Sequence, residues 1–253
     1  MKAIVIAAGY ATRLYPLTKN FPKGLLKVGG RAIMDYLMDQ IASVPGLDGV
    51  YLITNSRFAG HFERWSAGWN GRLKIDVIDD GTTTNENRLG AVGDIRFAVR
   101  ARSISDDVLV CGSDNLFRFR LKDLVADFHD NPVAHICVCR VDDPKDRRRR
   151  GIAVLDEENR VVRFSEKPAE PESCWGSAAF YVYPASTLKR FDEYVDSGRT
   201  TDAPGHFVEW LCHVEPVYAH RLRGTAIDIG SPETLEQARR EYEKTAGQLD
   251  SPW

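Results

Sequence analysis

The chain opens on KAIVIAA, residues 2–8, an apolar and β-branched run that ends at Gly9 and reads as a buried strand. Runs of the same kind recur at GVYLITN (49–55), LKIDVIDD (73–80) and DDVLVCGSDN (106–115). Between them lie segments of helical spacing. AIMDYLMDQIASV (32–44) places Ile33, Leu37 and Ile41 on one face, and RLGAVGDIRFAVRA (88–101) follows Asn87, a candidate N-cap. A strand apolar on both sides needs cover on both, so this alternation predicts βαβ units and a parallel sheet with helices on its two faces. After residue 132 the rhythm changes. VAHICVCRV, GIAVLDEENRVVRFSEKP and GSAAFYVYP are strands joined by turns, which suits an antiparallel or mixed extension. Ser231 and Pro232 start a closing helix, PETLEQARREYEKTA. The expectation is one α/β domain over residues 1–253, with an elaborated second half from 132.

Composition removes several functions. A net charge of −2 gives no electrostatic case for nucleic acid as the main partner. Only DRRRR, Asp146 to Arg150, is locally basic, and it reads as a solvated loop. No apolar stretch approaches the ~20 residues of a membrane span, and KAIVIAAG is too short for a signal peptide. Cysteines at 111, 137, 139, 174 and 212 are odd in number and lack metal-ligand spacing. They read as reduced thiols, mostly buried, in a cytoplasmic protein.

The loop after the first strand carries the first chemistry. GxxxxGK[ST] is absent, so it is no Walker loop. Tyr10 and Thr12 stand where a dinucleotide fingerprint needs glycine, and no acid follows YLITN to hold a ribose. What remains is a turn of small side chains with Arg13, followed by FPKGLL with Lys23. Backbone N–H groups in such a turn can face phosphate oxygens, Arg13 offers a bidentate fork and Lys23 a point charge. A tight strand-to-helix turn without a ligand is the competing reading. Asp114 closes the strand VLVCGSD at the carboxyl end, where open α/β sheets bind ligands, although such an aspartate also caps turns.

AAGYATRL followed by PKGLLKV resembles the L-A-[GA]-G-x-[GA]-T-R-L…P-K-x-L-L-P-V signature of the sugar-1-phosphate nucleotidyltransferases, the glucose-1-phosphate thymidylyl- and uridylyltransferases and their cytidylyltransferase relatives. Ala8 and Ala11 occupy places where hexose-phosphate enzymes usually have glycine, and Lys27 replaces the usual proline. The resemblance implies a Rossmann-like, mostly parallel mixed sheet, with an NTP-binding half (1–131) and a sugar-phosphate-binding half (132–253). It makes Ala7, Ala8, Gly9, Tyr10, Ala11, Thr12 and Arg13 a nucleotide loop, with Arg13 and Lys23 catalytic. GSDN looks like the family's G-D-N, and GTAIDIGSPETLEQA like its W-x-D-x-G-x-x-x-x-L-x-x-A, which implies Mg²⁺ on Asp114 and Asp228. FSEKP is similar to the family's E-K-P, so Glu166 would bind sugar hydroxyls and Lys167 the sugar phosphate. Gly151 and Ser177 fall where the family approaches the sugar, with Arg150 in a place commonly aromatic. The family reads the base before the second helix, here from Asn85, Arg88 and Leu89, and the usual glycine is replaced by Arg88.

The expected chemistry is Mg²⁺-dependent transfer from an NTP, a pyrimidine one, to a sugar 1-phosphate. Positioning and electrostatic stabilisation would drive it, since the attacking phosphate is already ionised. Two rivals stand beside it: a cytidylyltransferase for a phosphocholine-like or phosphono acceptor, favoured by Ala8, and a non-catalytic nucleotide-sugar sensor. No nucleic acid or membrane partner is expected, and a homo-oligomer is left open. TTDAPGHFVEWL (200–211) reads as a core cover, a lip over the acceptor pocket or a self-association surface.

Overall fold

The opening run forms β1 (Lys2–Ile6), and its side chains alternate between two cores: Ala3 and Val5 enter one, Ile4 the other. This is a computed structural model; it describes residues 1–222 and 226–245, excepting the side chains of residues 226, 228 and 243–245. β1 pairs in parallel with β2 (Val50–Thr54) on one edge and with β4 (Val108–Gly112) on the other, and β3 (Ile75–Asp79) extends the sheet beyond β2. β9 (Trp175–Tyr183) lies antiparallel between β4 and β6 (Ala134–Arg140), and β10 (Val217–Arg221) is parallel to β6. The order is therefore β3-β2-β1-β4-β9-β6-β10, a mostly parallel mixed sheet. A hairpin of β7 (Gly151–Leu155) and β8 (Val161–Glu166) attaches to the start of β9.

Helices cover both faces. α1 (Ile33–Ala42), α2 (Ala59–Ser66) and α4 (Leu121–Asp130) pack Leu37, Phe62 and Phe128 into one core. α3 (Ala91–Ala101), α5 (Leu188–Asp196) and α6 (Pro204–Leu211) pack Ile95, Phe191 and Phe207 into the other. α2, α4, α5, α6 and β10 have no counterpart in the sequence reading.

Two local readings change. α3 begins at Ala91, and Asn87 does not cap it: the Asn87 side-chain oxygen accepts from Thr84 N–H (3.0 Å) and closes the preceding turn. The chain enters the helix through Gly90 at φ 77°, where a Cβ would lie 2.5 Å from the Thr201 carbonyl. Segment 200–211 is mainly helix α6, whose Phe207 ring stacks on Phe191 at 4.0 Å between centroids. The closing helix α7 (Pro232–Thr245) starts as expected, with Ser231 Oγ accepting from Thr234 N–H (3.3 Å). All five cysteines are unpaired, and no described helix is long and apolar enough to cross a membrane.

Candidate active site

β1 has neighbours reached in opposite directions along the chain, so the loops leaving β1 and β4 diverge at the carboxyl edge and open a crevice between them. The loop after β1 is held by its carbonyls. Asn55 Nδ2 donates to the Ala8 carbonyl (2.8 Å) and Thr54 Oγ1 to the Ala7 carbonyl (3.3 Å), both from fully buried side chains. Buried Thr18 donates to the Ala11 carbonyl at 2.8 Å. The N–H groups of Ala8, Gly9, Tyr10 and Ala11, by contrast, find no acceptor among the described residues. Carbonyls tied back and successive amides left over make a concavity suited to anionic oxygens. Ala11 adopts φ 47°, ψ 44°, the left-handed region that glycine enters freely. Thr12 and Arg13 follow in a short turn, and the exposed Arg13 has no side-chain partner among the described residues. Tyr10 is buried, its hydroxyl 3.4 Å from Thr82 Oγ1.

Lys23 arrives on a second short turn, Lys23–Leu25. A Cβ on Gly24 would lie 2.8 Å from Met34 Cγ and 3.1 Å from the Ser113 carbonyl, so only glycine lets this turn lie against the loop after β4. That approach brings Lys23 Nζ onto Asp114 Oδ2, while Asp114 Oδ1 accepts from Asn115 Nδ2 (3.0 Å). β5 (Asn115–Phe117) pairs antiparallel with β11 (Ala226–Asp228), setting Asp228 opposite Asn115, and Ile229 N–H donates to the Asp114 carbonyl (3.1 Å). The backbone thus carries the second aspartate beside the first; its side chain lies outside the described residues. The donor set fits a hard cation. The Asp114 carboxylate already faces a positive group, the Asp228 backbone runs beside its segment, and Mg²⁺ takes its remaining ligands from water and phosphates.

Asp114 also lines a cavity of about 280 Å³, which it shares with Gly151, Glu166, Lys167 and Ser177, residues drawn from four separate segments. Gly151 pairs with Glu166 in the β7–β8 hairpin, and a Cβ there would meet Phe164 Cζ at 2.3 Å. Gly205 at the start of α6 is tighter still, since a Cβ added there would fall 1.8 Å from Glu166 Oε2, so the segment covers the core and walls the cavity together. Burial pushes the Glu166 carboxyl above its ordinary range, against the pull of Lys167, whose Nζ lies 3.7 Å away. Lys167 itself sits at φ 49°, a left-handed conformation of the kind that concentrates at functional sites. Opposite it, the alternation of β9 sets Ser177, Ala179 and Tyr181 on the face that lines the cavity, while the register against β6 shifts between Ala178 and Tyr181.

The base-reading candidates lie apart from this cavity. Arg88 is occupied by Asp202 (Nη2 2.6 Å, Nε 3.2 Å) and by the Asn85 carbonyl (2.7 Å). The Leu89 carbonyl accepts from Thr201 Oγ1 at 2.6 Å. The Asn85 side-chain amide has no partner among the described residues. Beneath them, Asp80 Oδ1 accepts twice from Thr82 (2.7 Å each), whereas Asp80 Oδ2 and Asp94 Oδ1 are buried without a partner. Burial and the neighbouring Asp80 push the Asp94 carboxyl up to about 8. Sequence reasoning missed Thr54, Asn55 and Thr18. The polar pair closing an otherwise apolar strand was the signal available for the first two.

A family profile described as nucleotidyl transferase matches residues 2–245. A Sulfolobus acidocaldarius protein assigned as a mannose-1-phosphate guanyltransferase is 32% identical over 237 residues, 92% of this chain. The chain spans 60% of that relative's length. Two solved structures share the fold. A Bacillus anthracis protein assigned as a glucose-1-phosphate thymidylyltransferase, in complex with a sucrose, gives a TM-score of 0.78 at 20% identity over 100% of this chain and 97% of its own. A UDP-glucose pyrophosphorylase complexed with UDP-glucose gives 0.81 at 16% identity, over 96% and 98%.

Proposed function

The chain belongs to the nucleotidyl transferase family, and on that premise we propose that it transfers a nucleotidyl group from a nucleoside triphosphate to a sugar 1-phosphate. The observation that carries this reading is the double position of Asp114. It takes Lys23 from the side of the amide-rich loop and also lines the cavity that holds Glu166 and Lys167. A phosphorus atom beside it is reachable from both.

In this reading the acceptor phosphate oxygen attacks the α-phosphorus in line. The new P–O bond forms as the α–β bond breaks, and its electron pair leaves on pyrophosphate. The free amides of Ala8 to Ala11 and the Arg13 guanidinium receive the triphosphate, and Lys23 shares its charge. Lys167 aligns the acceptor phosphate while Glu166 binds sugar hydroxyls. Asp114 and Asp228 would hold Mg²⁺, which when bound screens the repulsion between the two phosphates. The Asn85 amide is the candidate reader of a pyrimidine edge, its donor and acceptor both uncommitted. GTP is the rival donor, because the Sulfolobus relative is named for guanylyl transfer.

Pyrophosphate release tests this directly. The purified protein is offered CTP, UTP, dTTP, GTP and ATP against hexose 1-phosphates and phosphocholine, with and without EDTA. Release that needs a sugar 1-phosphate and is abolished by EDTA is the expected result. No release with any pair, despite measurable nucleotide binding, would make the protein a sensor.

A further inference from the structure

The basic run Asp146–Arg150 is not the uniform solvated loop that its composition suggests. Arg147 clamps the segment, donating from Nε to the Val141 carbonyl (2.6 Å) and from Nη2 to the Asp142 carbonyl (3.1 Å). Asp143 caps the turn through Lys145 N–H at 2.8 Å. So anchored, the chain carries Arg149 and Arg150 onto the cavity that holds Asp114, Glu166 and Lys167. Neither guanidinium has a hydrogen-bond or ion-pair partner among the described residues. Several other arginines are met by acids: Arg96 by Asp192 and Asp196, Arg102 by Asp76, Arg190 by Glu193 and Glu215. In the cavity both acids already face a lysine, Asp114 facing Lys23 and Glu166 facing Lys167. The two guanidiniums are left over, in a concave site.

We propose that Arg149 and Arg150 form a second anion subsite in the acceptor pocket, so that the preferred sugar 1-phosphate carries a further acidic group, a carboxylate or second phosphate. This rests on the transferase reading above. The first phosphate belongs beside Asp114 and Lys167. Arg150 instead adjoins Gly151, which pairs with Glu166 on the wall assigned to the sugar, and its carbonyl accepts from Lys167 N–H (3.2 Å). Two forked cations on that wall match an oxyanion and repel the ammonium of a choline-like acceptor.

The test compares glucose 1-phosphate with glucuronic acid 1-phosphate and glucose 1,6-bisphosphate, by turnover and by calorimetric binding. An acidic acceptor is expected to have a kcat/KM or affinity about 10–100-fold higher, the worth of one or two charge-assisted bonds. The carboxylate and bisphosphate arms tell which acid fits. In the double variant Arg149→Ala, Arg150→Ala that ratio falls toward one, whereas Arg148→Ala, which removes one charge of the same run outside the cavity, leaves it unchanged. Equal handling of acidic and neutral acceptors, or a ratio unmoved in the double variant, overturns the subsite. Absent turnover with every acceptor counts against the transferase reading alone, and the binding ratio then decides the subsite.

Discussion

The two sides of the crevice manage polar groups in opposite ways. On the side of the loop after β1, buried Thr18, Thr54, Asn55 and Thr82 bind other protein groups, and the donors left without acceptors among the described residues are mostly main-chain amides, with the exposed Arg13 beside them. On the acceptor side the donors are side chains. Lys167 sits on a left-handed backbone, Glu166 is wedged between Gly151 and Gly205, and Arg149 and Arg150 lack hydrogen-bond or ion-pair partners among the described residues. A triphosphate has one shape whatever base it carries, so a rigid backbone concavity can hold it. An acceptor must be told from similar acceptors, which takes side chains aimed at particular groups.

The sharpest way to break this contrast is Arg13, the exposed side chain on the backbone-built side. Arg13→Ala is expected to lower kcat by about 10²–10³-fold, as loss of one preorganised charge stabiliser does. A near-normal kcat in single-turnover assays would leave the amides doing the work alone.

The buried Asp94 gives the next largest effect, on stability. Its carboxyl titrates near 8 in the fold against 3.8 when exposed. Between those values the folded chain keeps a proton that the unfolded chain has lost, so stability falls as pH rises through this window and levels off above it. The loss is of order a few kcal/mol. Asp94→Asn has no proton to lose and can donate to Asp80, so urea unfolding should show it more stable than the parent at pH 8 and little different at pH 4. Parallel pH curves would mean that Asp94 ionises normally.

On the acceptor side, Gly205→Ala drives a methyl group into Glu166 Oε2. It should raise the acceptor KM several-fold and cost about 1–3 kcal/mol of overpacking, while nucleotide affinity stays unchanged. A matching drop in nucleotide affinity would show that the two sides are not independent. The smallest effect belongs to Ala11, strained at φ 47°. Ala11→Gly should stabilise the fold by about 1 kcal/mol in urea unfolding, because a left-handed alanine carries roughly that penalty.

Much of the frame is legible without coordinates. β1, β2 and β4 are largely apolar runs, and such runs have few alternatives to a parallel sheet. Asp114 and Lys23 stand out less by themselves, since an aspartate ending a strand also caps turns, than through the motifs GSDN and PKGLLKV that resemble those of a known family. Segment 200–211 was ambiguous for the opposite reason. Eight helical residues give too little periodicity, and what holds α6 is contact with Phe191 and Glu166, both distant enough in sequence to leave no local trace.

Residue order alone therefore determined most of the strands and the turn of small residues after β1, because these follow from local patterning of apolar and small groups, while the role expected of Asp114 came from the resemblance to a known family. The tertiary structure decided which charges are spent. Arg88 and Arg149 look alike in a string of letters, yet one is held by Asp202 and the other lines a cavity with no ion-pair partner among the described residues. Whether a cation is available to a ligand depends on which acid the fold brings within reach, and that is settled between segments far apart in the chain.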